Sequence, residues 1–203
     1  HHRSSAASDV YKRQFLENKM LQTMGGNPKN FNKLDLKRLP SPCFVIDKIA
    51  LQNNLEILFE LKKETNIKIL IALKAFSTFS LADLISEYLD GSCCSGLYEA
   101  KLANKYFKGE ISTYSPAFKK DEFNEISRIS NHIIFNSFNQ INTFYDISKK
   151  FNNEVGIRIN PIYAEVEINN YSSSGINSRL GVHLIDLINY DINKIDGIHF
   201  HSL

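Results

Sequence analysis

Cysteine is scarce in this chain of 203 residues, and so are long apolar runs. The three cysteines, Cys43, Cys93 and Cys94, are an odd number with neither the spacing of metal ligands nor that of a disulfide framework. Such usage is typical of a reducing compartment, and we predict a cytoplasmic protein. The longest apolar run, residues 69–73, is far shorter than the roughly 20 residues that cross a bilayer, so the sequence does not predict a membrane protein.

The chain also has no excess of charge of one sign. Lys and Arg total 24 against 22 Asp and Glu, and the two signs are mixed along the chain. This pattern lacks the basic stripe of a nucleic-acid-binding surface, so we exclude that class. The remaining composition, 43% hydrophobic and 23% charged, is that of an ordinary globular domain.

The first residues are excluded from the predicted fold. Residues 1–14 are small, polar and basic without an apolar core, unlike a secretory signal, and we interpret them as added or sequencing-derived residues. The native sequence is predicted to start at Met20 or Met24. We therefore predict a non-native or disordered leader over residues 1–38 and a partial barrel domain over residues 39–203.

From Pro40 onward, short apolar runs rich in β-branched residues alternate with segments of helical period. The predicted strands are residues 43–46, 68–72, 92–95, 111–114, 132–135, 155–160 and 197–201. Two helical faces are predicted, one from Leu51, Leu55, Leu58 and Phe59 after an Asp47 cap, and one from Leu81, Leu84, Ile85 and Leu89. This alternation predicts an α/β fold with parallel strands, as a doubly wound sheet or a (β/α) barrel. No Gly-x-Gly-x-x-Gly or Gly-Lys-[Ser/Thr] turn follows any strand, which favours the barrel.

Polar residues at the carboxyl ends of barrel strands are the candidates for chemistry. Lys74 follows the apolar run 69–73, so we expect its amine at the barrel mouth, where partial burial would free its lone pair for a Schiff base. The alternative is a strand-end lysine in solvent. Arg158 alternates with apolar residues near the end of its strand, where it would hold an anion or take part in a buried ion pair.

His199 and His201 alternate along the last predicted strand and therefore point to one face. A His-x-His pair is a common arrangement of metal ligands, yet two ligands do not make a site, and Cys93 and Cys94 are too close together to supply a second pair. We predict no metal site. The ordinary alternative for each histidine is a satisfied interior side chain.

Eight segments in order resemble the carboxynorspermidine/carboxyspermidine decarboxylase family. They are residues 39–47 (LPSPCFVID), 71–76 (IALKAF), 89–100 (LDGSCCSGLYEA), 113–118 (TYSPAF), 134–137 (IFNS), 158–161 (RINP), 178–182 (SRLGV) and 197–201 (GIHFH). The resemblance covers nearly all of residues 39–203. Each segment alone is weak, but their order is specific, and the TYSP and HFH segments favour this family over the related diaminopimelate decarboxylases.

The resemblance implies a homodimeric, cytoplasmic lyase of polyamine biosynthesis that uses pyridoxal 5'-phosphate and has the alanine-racemase-like fold, a (β/α)8 barrel followed by a β domain. Lys74 matches the lysine that bonds to the cofactor, His201 the histidine that stacks on its ring, and Arg158 an arginine near the ring. Ser92 stands where some relatives carry an acid. The implied reaction converts carboxynorspermidine or carboxyspermidine to norspermidine or spermidine.

The sequence holds only about six of the eight strands expected of such a barrel. We therefore expect an amino-terminal fragment, without the β domain, that is inactive alone. Three alternatives remain: a non-catalytic pyridoxal-phosphate-binding barrel, a diaminopimelate-type decarboxylase, and a metal-dependent barrel hydrolase that uses His199 and His201.

Overall fold

A computed structural model describes residues 25–163 and 173–201 of the chain. The chain divides into two compact units, residues 1–67 and residues 68–203. The predicted boundary after residue 38 stays a prediction, and the proposed starts at Met20 and Met24 lie outside the described residues.

The first unit contains two short 3₁₀ turns, Pro28–Phe31 and Leu36–Arg38, followed by helix α1, Lys48–Thr65. The Asp47 carboxylate begins this helix, because it accepts hydrogen bonds from the backbone amides of Ile49 and Ala50, each at 3.0 Å. These amides have no partner within the helix, so the predicted cap is confirmed. Asn66, with φ of 55°, ends the helix in the left-handed conformation.

Of the predicted face on α1, Leu55 is buried, and Leu51, Leu58 and Phe59 are half-buried. The predicted strand at residues 43–46 is wrong. These residues pair with no strand, and the Phe44 side chain is 100% exposed. Their β-branched composition is a local preference, and without a neighbouring strand it does not produce a sheet.

The second unit alternates strands and helices. Its strands are β1 (Leu70–Ala72), β2 (Gly91–Cys94), β3 (Glu110–Tyr114), β4 (His132–Phe135), β5 (Glu154–Asn160), β6 (Val182–His183) and β7 (Gly197–His199). Its helices are α2 (Ala82–Tyr88), α3 (Leu97–Tyr106), α4 (Lys120–Ile129), α5 (Phe138–Lys150) and α6 (Leu184–Ile188). The strands predicted from residue 68 onward are confirmed within two residues at each end, and β6 is an addition to them.

The described strands all pair in parallel, and each of β1 to β5 lies beside the next strand in sequence. Beyond β5, strand β7 pairs along Gly156–Arg158, and the short β6 pairs with Ile159 and Asn160. This order does not reverse, whereas a doubly wound sheet reverses at its switch point. The predicted incomplete (β/α) barrel is therefore confirmed, with a main sheet of six strands and the two residues of β6 beside it.

Helices α4 and α5 cover the outer face of β4 and β5 with aromatic side chains. Phe123 on α4 and Phe144 on α5 stack with their ring centroids 4.2 Å apart, and Phe135 of β4 packs beside both. Ile133 and Ile157 complete this core and are fully buried. Aromatic contacts of this kind contribute about 0.5–1.5 kcal/mol each beyond the area they bury.

The inner face carries a charged cluster at the amino-terminal ends of the strands. The His132 imidazole lies 3.4 Å from a Glu110 carboxylate oxygen and 3.0 Å from one of Glu154, and Lys68 pairs with Glu110. Side chains alternate along a strand, so Glu110 shares its face with Tyr114, at the other end of β3. The base of the sheet is therefore polar. In residues 25–163 and 173–201, no helix has the length and apolar character needed to span a bilayer.

Candidate functional site

A cavity of about 240 Å³ lies at the carboxyl-terminal ends of the strands, on the inner face of the sheet. This is the end at which barrel enzymes carry their active sites. Its lining comes from β1, β2, β3, β4 and the end of β7, and consists of Ala72, Lys74, Cys93, Cys94, Ser95, Ser112, Tyr114, Ile134, His199 and His201. The cavity thus brings together three of the four residues singled out in the sequence.

Lys74 lies in the turn that directly follows β1. The backbone amides of Ala75 and Phe76 both donate to the carbonyl of Ala72, so the chain turns sharply at the strand end and presents the lysine at the mouth. The expected position at the cavity is found. The expected partial burial is wrong, because Lys74 lies beyond the paired part of the strand and is exposed.

His199 and His201 both line the cavity, as their alternation along the predicted strand at residues 197–201 indicated, whereas Ile198 and Phe200, which alternate with them, are exposed. Burial lowers the pKa of His199 to about 4, and the positive charges of Arg158, His201 and Lys74 act in the same direction. The pKa of His201 is also lowered, first by burial and then by Lys74 and Arg158. His199 is therefore neutral near pH 7.

Arg158 is 5% exposed and lies on β5 beside His199, its register partner on β7. Its guanidinium carbon lies 5.0 Å from the centroid of the Tyr114 ring, within the range of a cation–π contact. No acidic side chain in the described ranges forms an ion pair with it, and its buried Nε has no hydrogen-bond partner there. The alternative of a buried ion pair is therefore not found in this part of the chain.

Tyr114 and Asn136 were not singled out from the sequence, yet they organise one wall of the cavity. The Tyr114 ring stacks on His199 with a centroid separation of 5.1 Å, and its hydroxyl donates to Asn136 Oδ1 at 2.9 Å. Burial raises the pKa of Tyr114, and the nearby Arg158 charge and hydrogen bond oppose this. Tyr114 is the last residue of the predicted strand 111–114, and Asn136 directly follows the predicted strand 132–135. Position at a strand end identified Lys74, so the same signal was available for both.

The two adjacent cysteines differ in exposure although both line the cavity. Cys93 is exposed, and Cys94 is buried. Burial raises the pKa of Cys94 to about 12, with smaller contributions from Glu99 and Cys93. Ser92, on the same strand, is 1% exposed, and its hydroxyl has no hydrogen-bond partner among the described residues.

The donor set of the cavity suits an anionic ligand. Its lining has a lysine and two histidines, a buried arginine lies against it, and no carboxylate is among the lining residues. Within the described residues no group of three or more His, Cys, Asp and Glu side chains is placed to hold a metal ion. Because Arg158 is buried without an acidic partner among the described residues, a bound anion would stabilise its charge.

Comparison with solved structures agrees with this fold. The crystal structure of carboxynorspermidine decarboxylase complexed with norspermidine from Campylobacter jejuni superposes with a TM-score of 0.72 at 40% sequence identity, over 81% of this chain and 42% of that one. The sheet order and the cavity at its carboxyl end thus define a barrel of the fold-type III, pyridoxal-phosphate-dependent decarboxylases.

The sequence comparison is more specific. The carboxynorspermidine/carboxyspermidine decarboxylase of Campylobacter jejuni is 40% identical over 167 residues, which are 82% of this chain, and the carboxyaminopropylagmatine decarboxylase of Synechocystis is 35% identical over 168 residues. The chain is therefore a homologue of the carboxynorspermidine/carboxyspermidine decarboxylases, as its sequence segments predicted. It spans 43% of the length of each of these two relatives. No protein-family profile matches the chain.

Proposed function

We propose that this chain contributes the lysine-bearing half of the active site of a decarboxylase that uses pyridoxal 5'-phosphate. The observation that carries the proposal is the wall of the cavity, where Arg158 is buried without an acidic partner within the described residues and Lys74 stands at the mouth. Such a site needs a ligand that is both anionic and reactive toward an amine. Pyridoxal phosphate has both properties, because it carries a phosphate and an aldehyde.

The residues present fit this cofactor. Lys74 would supply the amine that bonds to the aldehyde, His201 would lie against the ring, and Arg158 would neutralise negative charge on the cofactor. A cavity of about 240 Å³ lies just below the range of about 300–1,000 Å³ that holds drug-sized ligands, as suits a smaller molecule. When bound, pyridoxal phosphate draws electrons from the α-carbon of an amino acid, which allows carbon dioxide to leave.

The chain's own groups prepare the site for that chemistry. Lys74 is exposed at the mouth, so its amine is accessible to an incoming aldehyde. His199 is neutral near pH 7 because its pKa is about 4, and it therefore adds no positive charge to that of Arg158 and Lys74. Its buried Nδ1 has no hydrogen-bond partner among the described residues and is free to meet a polar group of a ligand.

The proposed substrate is a carboxylated polyamine, carboxynorspermidine or carboxyspermidine, and the products are norspermidine or spermidine. Both named relatives are decarboxylases of carboxylated polyamine-like compounds, which supports this class. The lining without carboxylates suits the carboxylate end of such a substrate better than its cationic tail. The two substrates differ by one methylene, a difference worth about 1–3 kcal/mol in a pocket. We also propose that the active enzyme is a homodimer, which sedimentation measurements would test.

Reduction with borohydride tests the cofactor assignment. The purified chain is incubated with pyridoxal phosphate and then reduced. Reduction makes the reversible bond between the lysine amine and the aldehyde permanent. The labelled peptide is then identified by mass spectrometry. We expect label on Lys74 and its loss in K74A. The matched control is K120A, which removes an exposed lysine on α4 and should retain the label. Wild-type protein without label on Lys74 would overturn the proposal.

Turnover separates the remaining alternatives. Release of carbon dioxide from carboxynorspermidine or carboxyspermidine is compared with release from diaminopimelate, using a chain extended to the length of its relatives. We expect the carboxylated polyamines to be the substrates. Preference for diaminopimelate would support the amino-acid decarboxylase alternative, and label on Lys74 without any turnover would support a pyridoxal-phosphate-binding protein that is not an enzyme. Stoichiometric zinc in the purified protein would instead favour the hydrolase.

A further inference from the structure

Tyr114 connects residues that lie on four different segments of the barrel. Its ring contacts Arg158 on β5 and His199 on β7, and its hydroxyl contacts Asn136 at the end of β4. Strand β3, which carries Tyr114, is not a neighbour of β5 or β7 in the sheet. These contacts therefore cross the inner face of the barrel above β4.

Two glycines lie at the level at which the ring crosses. At the level of Tyr114, the register aligns Ile134 on β4, Gly156 on β5 and Gly197 on β7. A Cβ at Gly156 would lie 2.6 Å from the Ile134 side chain, so a larger residue would push Ile134 from its position. Gly156 thus allows Ile134 to keep its place in the lining beside Tyr114.

In the described part of the chain, the partner of the Arg158 charge is the Tyr114 side chain, through its ring face and through a hydrogen bond that the guanidinium donates to its hydroxyl. Arg158 forms no ion pair with an acidic side chain in these ranges, and its Nε has no hydrogen-bond partner there. An electron-rich ring face is a weaker partner for a cation than a carboxylate. Such a partner orients the guanidinium and leaves its positive charge available to a ligand.

Asn136 holds the tyrosine in turn. Its Oδ1 accepts from the Tyr114 hydroxyl at 2.9 Å and from the Gly181 amide at 2.7 Å, and its Nδ2 donates to the Arg179 carbonyl at 3.0 Å. Both polar atoms of the amide are thus occupied. The same side chain therefore ties the segment at residues 179–181 to the wall of the cavity.

We propose that Tyr114, anchored by Asn136, is a positioning residue that holds the Arg158 guanidinium against the cavity in the orientation that receives an anion. The proposal rests on the proposed function, since the anion is taken to be pyridoxal phosphate. Tyr114 acts through Arg158 and need not touch the cofactor. The residue thereby gives the arginine a fixed place without cancelling its charge.

The first test uses no cofactor. In the ¹⁵N-labelled chain, the Nε–H resonance of Arg158 is identified by its loss in R158K, and its chemical shift is compared in Y114L and Y114F. We expect a shift in Y114L, where the ring is removed, and a smaller one in Y114F, which keeps the ring and loses the hydroxyl with its contacts to Asn136 and Arg158. The control Y98F removes the hydroxyl of an exposed tyrosine and should change nothing. An Arg158 resonance that is unchanged in Y114L would overturn the proposal.

The second test measures the affinity for pyridoxal phosphate by labelling of Lys74 at increasing cofactor concentration. Loss of a cation–π contact should raise the dissociation constant roughly 2- to 30-fold in Y114L, with no change in Y98F. Equal affinity in Y114L and Y98F would overturn the proposal. If wild-type protein takes up no label, the proposed function fails, and the resonance of Arg158 alone decides the role of Tyr114. N136A, which keeps the ring, should reproduce the smaller effect of Y114F.

Discussion

Replacing Gly181 by alanine should destabilise the barrel by an amount that follows from two features of its position. Gly181 has a φ of 87°, and forcing an L-residue into the left-handed region costs about 1–2 kcal/mol. An added Cβ would also lie 2.9 Å from each of three backbone atoms, Arg158 O, Asn160 N and Ile159 C. Backbone atoms of a paired strand do not move aside, and overpacking of this kind costs about 1–3 kcal/mol.

The free energy of unfolding should therefore fall by about 2–5 kcal/mol in G181A. Urea unfolding followed by far-UV circular dichroism measures this, and a fall of this size moves the midpoint by about 1–2.5 M if the slope is about 2 kcal/mol per molar. The matched control is G175A. A Cβ at Gly175 meets no atom within 4 Å, so we expect a change within about 0.5 kcal/mol.

Both replacements reduce the freedom of the unfolded chain to the same extent, so the difference between them isolates the strain and the contacts in the folded state. A G181A protein as stable as G175A would refute the reasoning. It would mean that the segment at residues 179–181 moves away from β5 without cost. The Gly181 amide would then also leave Asn136, and labelling of Lys74 would weaken without loss of stability.

Three further outcomes are expected. Asn153 is 1% exposed and donates to two backbone carbonyls, so N153A should lower the free energy of unfolding by about 1–3 kcal/mol, measured in urea. The pKa of His199 is lowered from 6.5 to about 4, so the unfolded state binds the proton more tightly than the folded state does. The free energy of unfolding should therefore fall as the pH drops from about 6.5 to about 4. Urea titrations measure this, and H199N should lose the dependence. Iodoacetamide should label Cys93 and spare Cys94, which is buried and has a pKa of about 12. Pyridoxal phosphate should protect Cys93 from the reagent but not the exposed Cys43. Labelling is measured by mass spectrometry, and equal labelling of Cys93 and Cys94 would contradict the prediction.

Most of the barrel was predictable because its strands carry strong local patterns. Residues 132–135 and 155–160 combine β-branched side chains with flanking polar turns, and the structure places strands there. The same composition at residues 43–46 gave a wrong strand, since a sequence pattern does not reveal whether a neighbouring strand is available. The two-residue strand β6 was missed because so short a bridge has no pattern of its own.

The candidate site was predictable residue by residue but not as an arrangement. Position at a strand end identified Lys74, and alternation identified His199 and His201. The exposure of Lys74 was not predicted, because it depends on a turn of three residues after β1. The contact between Tyr114 and Arg158 joins residues 44 positions apart on strands that are not neighbours, and it arises only from the closing curvature of the sheet.

The charged cluster at the base of the sheet gives the inside of the barrel an electric polarity. Glu110 and Glu154 lie at the amino-terminal ends of their strands, and Arg158 and Lys74 lie at or beyond the carboxyl-terminal ends. Four residues of strand separate the two levels by about 13 Å. The cations Arg158 and Lys74 therefore attract an anion to the mouth, whereas Glu110 and Glu154 at the base already lie against Lys68 and His132. The two ends of the inner face thus differ in how their charges are balanced: the acidic residues at the base are paired within the chain, and the cations at the mouth face a cavity that a ligand can enter.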